Sequence, residues 1–526
     1  MPKQTFLKGM LILMTAGLIT RILGFINRIV IARMIGEEGV GLYMMAMPTF
    51  GLVAAATQLG LPVAISKLVA EADAKGDSKK VKKILVVSLT ITCSLSIIIA
   101  PLVLFSASYI SETLLTDPRT FYPLISITPV IPIIAVSSVL RGYFQGKQNM
   151  TPAAFSQVLE QAVRIAFIAV CTKAMLPYGI EYAAAGAFVA AAIGELASLL
   201  YLLIAFRFKK QIRVRKSFFR SLKKGKETFS QLMKIALPTT GSRFIGNISW
   251  FLEPIVVSHS LLIAGVHSSL ATKQYGELTG YALPLLMLPS FITFSLSTSL
   301  VPALSEAIAQ KRIRLAEYRL RQALRLSLVT GGLAVVILYV YAEPIMIFMY
   351  GNAQSAIYVK VMAPFFIFYY FQGPLQAALQ ALNLAKAAMT NSLIGSILKT
   401  ALIFVFATRP ELGIIGAALA IISGFMIVTL LHYATVLKVF KFTIYLRDYV
   451  LSFAAIFLTG WISYHIYDIL LEQLHLLPKL MYACMITTVI YSLFLIIFRL
   501  VEKEEVKRIP LIGPYIAIFI PMQKNR

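Results

Sequence analysis

Fourteen times along the 526-residue chain, a run of about twenty or more apolar residues gives way to a short polar break. Crossing ~30 Å of hydrocarbon takes about twenty helical residues. A backbone in lipid has to hydrogen-bond to itself, so each run reads as a transmembrane α-helix. The runs fall at roughly 6–32, 41–66, 84–106, 121–143, 152–174, 182–206, 232–262, 278–304, 325–344, 358–384, 388–408, 413–436, 447–468 and 478–499. Composition agrees: 58% of the residues are hydrophobic, 14% are charged, and the mean hydropathy is +0.80. A soluble chain carries about a quarter of its residues as charge. A β-barrel would need short alternating segments, which this sequence lacks. The expected class is therefore an all-α integral membrane protein with fourteen transmembrane helices. The opening MPKQTFLKGMLIL has a short basic start but no small-residue cleavage site, so it reads as a retained first helix and not a signal peptide.

The net charge of +26 sits mostly in alternate loops. Lys67, Lys75, Lys79, Lys80, Lys82 and Lys83 follow the second run, and RFKKQIRVRKSFFRSLKKGK follows the sixth. Intervening loops, such as RMIGEEG and SETLLTDPRT, hold about one basic residue each, often beside acids. Basic loops stay in the cytoplasm, which places both termini there. No soluble basic surface interleaved with aromatics exists, so nucleic acid is excluded as a partner. Cys93, Cys171 and Cys484 lie inside apolar runs without CxxC spacing, so neither a disulfide framework nor a metal site is expected. GxxxxGK[ST], GxSxG and HExxH are absent, and the five histidines are scattered. No catalytic residue and no enzyme activity are expected.

An internal repeat divides the chain. LRGYFQGKQNMTPAAFSQVLEQAVRI aligns with LQAALQALNLAKAAMTNSLIGSILKT at one offset, placing Leu140 on Leu375 and Arg164 on Lys399. GAFVA at 186–190 matches GAALA at 416–420, and the context of Arg21 (TRILG) resembles that of Arg243 (SRFIG). Each half then holds six spans in the same orientation, with a substrate site expected between them. The expected organisation is an N-terminal lobe at 1–206, a basic cytoplasmic linker at 207–227, a second lobe at 228–440, two further helices within 441–500, and a cytoplasmic tail at 501–526.

Charges inside the runs carry the functional signal. Arg21, Gly24 and Arg28 share one helix face, with the arginines ~10 Å apart along the axis. Each costs about 2.5–3.5 kcal/mol at the centre of a membrane helix, so both need water or a partner. The first run supplies no acid, and Arg243 adds a similarly placed cation from the seventh. Two readings stand here: arginines that fix packing, or a cationic cavity for an anion. Phosphate suits the bidentate guanidinium fork. In the fifth run, Gln157, Glu160, Gln161 and Arg164 form a polar stripe in which Glu160 and Arg164 have the i, i+4 order of an ion pair. Its repeat mate, Ser392, Gly395, Ser396 and Lys399, keeps the cation and loses the acid. Glu195 and Glu253 are the remaining buried acids, open to counter-ion or to H+ or Na+ coupling roles. Pro254 after Glu253 is expected to interrupt the seventh run.

TRILGFINRIVIARMIGEEGVGLY, LPVAISKLVAEADAKGD and above all SSVLRGYFQGKQNMTPAAFSQVLEQAVRI resemble the stage V sporulation protein B group of the multidrug/oligosaccharidyl-lipid/polysaccharide exporter superfamily. The likeness runs from about residue 4 to 510. It implies two six-helix lobes around a V-shaped cavity. It further implies flipping of an undecaprenyl-pyrophosphate-linked precursor such as lipid II, during spore cortex peptidoglycan synthesis. The partners implied are a lipid-linked anionic substrate, membrane lipids and cell-wall synthesis enzymes. The location implied is the cell membrane, of forespore or mother cell. No cofactor is implied, and Na+ or H+ coupling stays open. By the related MurJ flippase pattern, Arg21 matches a first-helix arginine, and the second falls at Asn27 or Arg28. With Arg243 and Lys399 these make the expected headgroup set. The pattern also has arginines in helices 2 and 8, where this chain carries no charge. Two other functions compete: a non-transporting scaffold for cell-wall synthesis, and a cation-coupled multidrug exporter, which should present buried carboxylates near the first run.

Overall fold

A computed structural model describes residues 6–209, 225–440, 446–470, 475–501 and 503, and no strand occurs among them. Most of the expected linker, 210–224, and all but the start of the expected tail lie outside the described residues. In chain order the helices are α1 Phe6–Gln58, α2 Leu61–Ala74, α3 Ser78–Tyr109, α4 Phe121–Ile125, α5 Val130–Gly146, α6 Met150–Met175, α7 Ile180–Lys209, α8 Lys226–Ile263 and α9 Ser268–Gly276. They continue with α10 Leu283–Met287, α11 Ser290–Ala309, α12 Ile313–Val340, α13 Ala342–Tyr350, α14 Ala356–Met362, α15 Phe366–Ala381, α16 Ala385–Ala407, α17 Gly413–Leu437, α18 Leu446–Leu470 and α19 Leu476–Ile497.

The all-α membrane class holds, but the count of fourteen is not reached. Among the described residues, ten helices are long and apolar enough to cross a bilayer, or eleven if a pair bent by 41° at Pro118–Ile125 and Val130–Gly146 is one span. The shortfall has local causes. The first apolar helix, Ile12–Ala74, has 63 residues, about 95 Å at 1.5 Å each, which is three bilayer cores and not one. Gly36 (φ 66°, ψ −171°) breaks α1 between the first two runs. Leu59 and Gly60, both at positive φ, break the chain again before α2. The fourth run is the bent pair. The seventh, α8, is diluted by polar residues such as Thr239, Thr240 and Asn247. The tenth is divided among α14, a 3₁₀ turn and α15. One expectation fails outright: α8 runs unbroken through both Pro238 and Pro254. Membrane helices tolerate proline when neighbouring groups re-satisfy the freed carbonyl.

The repeat is visible in the turns. Backbone of left-handed conformation occurs at Gly76 and Lys311, at Thr116 and Gly351, and at Gln148 and Asn383, each pair 235 residues apart. The tight α5–α6 turn therefore has its counterpart between α15 and α16.

The chain forms two compact units, one within Met1–Tyr281 and Thr400–Ala417, the other within Ala282–Lys399 and Ala418–Arg526. In the first, α2, α3, α5, α7 and α8 bury Leu61, Ile65, Val81, Ile84, Tyr143, Phe144, Leu202 and Leu232 against one another. In the second, α11, α12, α15 and α17 bury Leu304, Leu320, Leu324, Leu375, Leu379 and Val436. Around Val329, a smaller cluster joins α18 and α19 through Ala455, Tyr491 and Leu495.

Candidate functional site

The first limb of α1 carries the cations. Arg21 and Arg28 are both exposed, and between them a Cβ built on Gly24 would meet nothing within 4 Å. Asn27 is turned inward: it is buried, and its Oδ1 has no hydrogen-bond partner. Tyr43, on the second limb of the same helix, is buried within electrostatic reach of Arg28 and Arg164. The open backbone at Gly24 leaves room beside the exposed Arg21 and Arg28 for a phosphate, whose oxygen pair suits the fork of a single guanidinium.

Behind Arg164 lies a buried ionic network. Arg164 Nη2 donates to Glu160 Oε1 at 2.6 Å, the i, i+4 pair expected from sequence. Arg141 Nη2 lies 3.0 Å from Glu160 Oε2, 3.1 Å from Glu195 Oε1 and 2.9 Å from Ser198 Oγ. Ser137 Oγ donates to Glu195 Oε1 at 2.5 Å. The small residues of AAAGAFVAAAIGELAS bring α7 this close: a Cβ on Gly194 would stand 2.7 Å from the Glu160 carbonyl oxygen. Two carboxylates and two guanidiniums leave the network with no net formal charge. Arg141 is the member that sequence reasoning missed. The signal was there, since two acids on the fifth and sixth runs had only one cation assigned to them.

The other expected residues fall elsewhere. Glu253 on α8 is buried, within electrostatic reach of Tyr275. Arg243 is carried on α8, but its side chain lies outside the described residues. Lys399 belongs to the second unit, where it is half-buried with its stem against α17; a Cβ on Gly424 would come 2.8 Å from the Lys399 Cβ. Lys147, from the GKQNM turn, is buried and paired with Asp73 at 2.6 Å.

A second ionic cluster ties the break in α1 to the loop before α4 and to α9. Arg119 Nη1 lies 2.6 Å from Glu38, and its Nε and Nη2 hold Asp117 at 3.0 and 2.8 Å. Thr272 Oγ1 donates to Asp117 at 2.7 Å, and Lys273 pairs with Glu37 at 2.7 Å. Burial alone would raise the Asp117 carboxyl, but the hydrogen bonds from Arg119 and Thr272 outweigh it and hold the group below the ordinary carboxylate range. The hydrogen bond to Glu37 pushes the Lys273 ammonium up. Glycines permit the approach: a Cβ on Gly41 would run into the Thr272 carbonyl.

A multi-span helical body of this kind has counterparts of known structure. The lipid II flippase MurJ, in an inward closed conformation, superposes with a TM-score of 0.69 at 18% identity, over 92% of this chain and 98% of that one. The protein is thus a multi-pass membrane protein with the fold shared by MATE transporters and MurJ. More narrowly, the chain belongs to the polysaccharide biosynthesis protein family, whose model matches residues 6–308. The MatE family model matches residues 277–405. Stage V sporulation protein B of Bacillus subtilis (strain 168) is 63% identical over 513 residues, covering 98% of this chain and 99% of the Bacillus protein. Lipid II flippase MurJ of the same strain is 25% identical over 75% of this chain and 76% of its own length.

Proposed function

We propose that this chain flips an undecaprenyl-pyrophosphate-linked, lipid II-like precursor across the cell membrane by alternating access, and that it serves spore cortex peptidoglycan synthesis. Both termini lie in the cytoplasm in this reading. The observation that carries it is the exposed Arg21–Arg28 face of α1 over the open backbone at Gly24. A guanidinium pair of this kind binds a pyrophosphate better than it binds an organic cation. The relative named as a lipid II flippase supports this substrate class, and the relative named for sporulation supports the setting. The buried carboxylates Glu160 and Glu195 are held by Arg141 and Arg164, which speaks against a drug-exporter cavity that would present them to cations.

The test is a flipping assay with the purified full-length chain in vesicles and a fluorescent undecaprenyl-pyrophosphate-linked saccharide, alongside rescue of a cortex-defective null strain. A hydrogen bond to an ionised partner contributes about 1.5–3 kcal/mol. Arg21→Ala and Arg28→Ala should therefore each weaken substrate binding roughly tenfold to a hundredfold. Arg21→Lys keeps charge without the fork and should be partly active. Normal flipping and full rescue by both alanine variants, at normal protein levels, would overturn the reading. Rescue without any flipping would favour the scaffold.

A further inference from the structure

Between the second limb of α1 and α8 lies a cavity of about 180 Å³, bounded by Gly51, Gln58 and Gly60 on one side and by Thr240 and Asn247 on the other. That is about six water volumes and well short of a drug-sized pocket, so it fits one ring and not a whole headgroup. Its polar lining is uncharged. Among the described residues, the side-chain amides of Gln58 and Asn247 have no hydrogen-bond partner. Thr240 donates its hydroxyl proton to the Ala236 carbonyl at 2.7 Å, which leaves its oxygen free to accept from a ligand. An aromatic platform stands beside these groups: a Cβ on Gly51 would come 2.6 Å from Trp250 Cζ3, and Trp250 as a residue is 37% exposed. Thr240, Asn247 and Trp250 stand at i, i+7 and i+10, one face of α8, and position 243 falls on that face at i+3.

We infer that this cavity is a saccharide subsite that takes one pyranose ring of the headgroup. The amides supply both donors and acceptors, as a ring of hydroxyls and an acetamido group requires. The indole face packs against the ring's C–H groups. An isoprenoid tail would leave two amides unsatisfied. This deepens the proposed function and rests on it: the arginine face takes the pyrophosphate and the cavity takes the sugar.

The experiment titrates the full-length chain in nanodiscs with three probes: undecaprenyl pyrophosphate, the same lipid bearing a disaccharide, and the free disaccharide. In a Trp461→Phe background, Trp250 becomes the sole indole, and its fluorescence reports occupancy. Gln58→Ala and Asn247→Ala should each weaken the sugar-bearing lipid about three- to tenfold and leave the sugarless lipid unchanged. Trp250→Leu, read by displacement of fluorescent lipid, should act alike, with Trp250→Phe close to the parent. Arg21→Ala should weaken both lipids. If the sugar-bearing lipid binds the amide variants as tightly as the parent, or if both lipids weaken equally, the subsite is overturned. If the amide variants discriminate between lipids while Arg21→Ala affects neither, the subsite stands and the pyrophosphate site falls. Saturation by the free disaccharide alone at concentrations matching the lipid would overturn the assignment to a lipid-linked sugar.

Discussion

Glu160 and Glu195 are tolerated inside the membrane because Arg141 reaches both of them at once. Removing one partner of a buried pair leaves the other charge stranded, at a cost of about 3–5 kcal/mol. Arg141→Leu should therefore lower the melting temperature of the purified protein sharply and reduce its accumulation, while Arg141→Leu combined with Glu195→Gln, which leaves Glu160 paired with Arg164, should recover much of the loss. An unchanged melting temperature in the single variant would show that the network does not hold these helices. The Glu160–Arg164 half of this network was legible, because i, i+4 spacing is a local property of one helix. Arg141 was not. It stands within RGYFQG near the end of the fourth run, and only the packing of α5 against α6 and α7 sets its reach. Asn27 was legible as a position in a pattern, but its orphaned Oδ1 depends on which way α1 is rotated.

Elements pack closely where glycine permits it. The second limb of α1 meets α9 through Gly41 and Gly276, and a Cβ on Gly276 would collide with the Gly41 backbone nitrogen. Gly41→Val should push these segments apart and break the Thr272–Asp117 hydrogen bond. Thermal unfolding would show it as a loss of about 1–3 kcal/mol, the usual result of overpacking, and an unaltered melting temperature would argue that the helices have slack there. Sequence patterning placed most of each apolar run on helix, since hydrophobic length is a strong signal. It failed at connections. Gly36 bends the chain without ending the helical hydrogen bonding around it, so two expected spans merge into one assigned helix. Pro254 failed in the opposite sense, because a single missing donor does not break a helix that its neighbours support. The internal repeat was legible from side chains and is seen independently in left-handed turns, such as Gln148 and Asn383.

At the scale of the whole molecule, loop charge sets the expected orientation. Cysteine at Lys216 should resist a membrane-impermeant thiol reagent applied to intact cells, and cysteine at the exposed Thr113 should react; the reverse pattern would invert the topology. Thr113 serves better than its neighbour Ser111, which is buried. The Asp117 cluster gives a pH test. Its carboxyl is held below the ordinary range, so its stabilising contribution is complete above about pH 5 and is lost only as pH falls below about 4. The difference in melting temperature between the parent and Asp117→Asn should stay constant from about pH 8 to 5 and shrink in stronger acid; shrinkage near neutrality would contradict the assignment. This cluster was not legible, because its members come from three loops that each looked like ordinary polar breaks. The network around Arg141 has a different kind of consequence, one that concerns descent. Its four charges balance only as a set, so no single replacement among Arg141, Glu160, Arg164 and Glu195 is neutral by itself. A lineage can keep all four or shed a matched acid and base together, and the three helices that carry them drift as one heritable block.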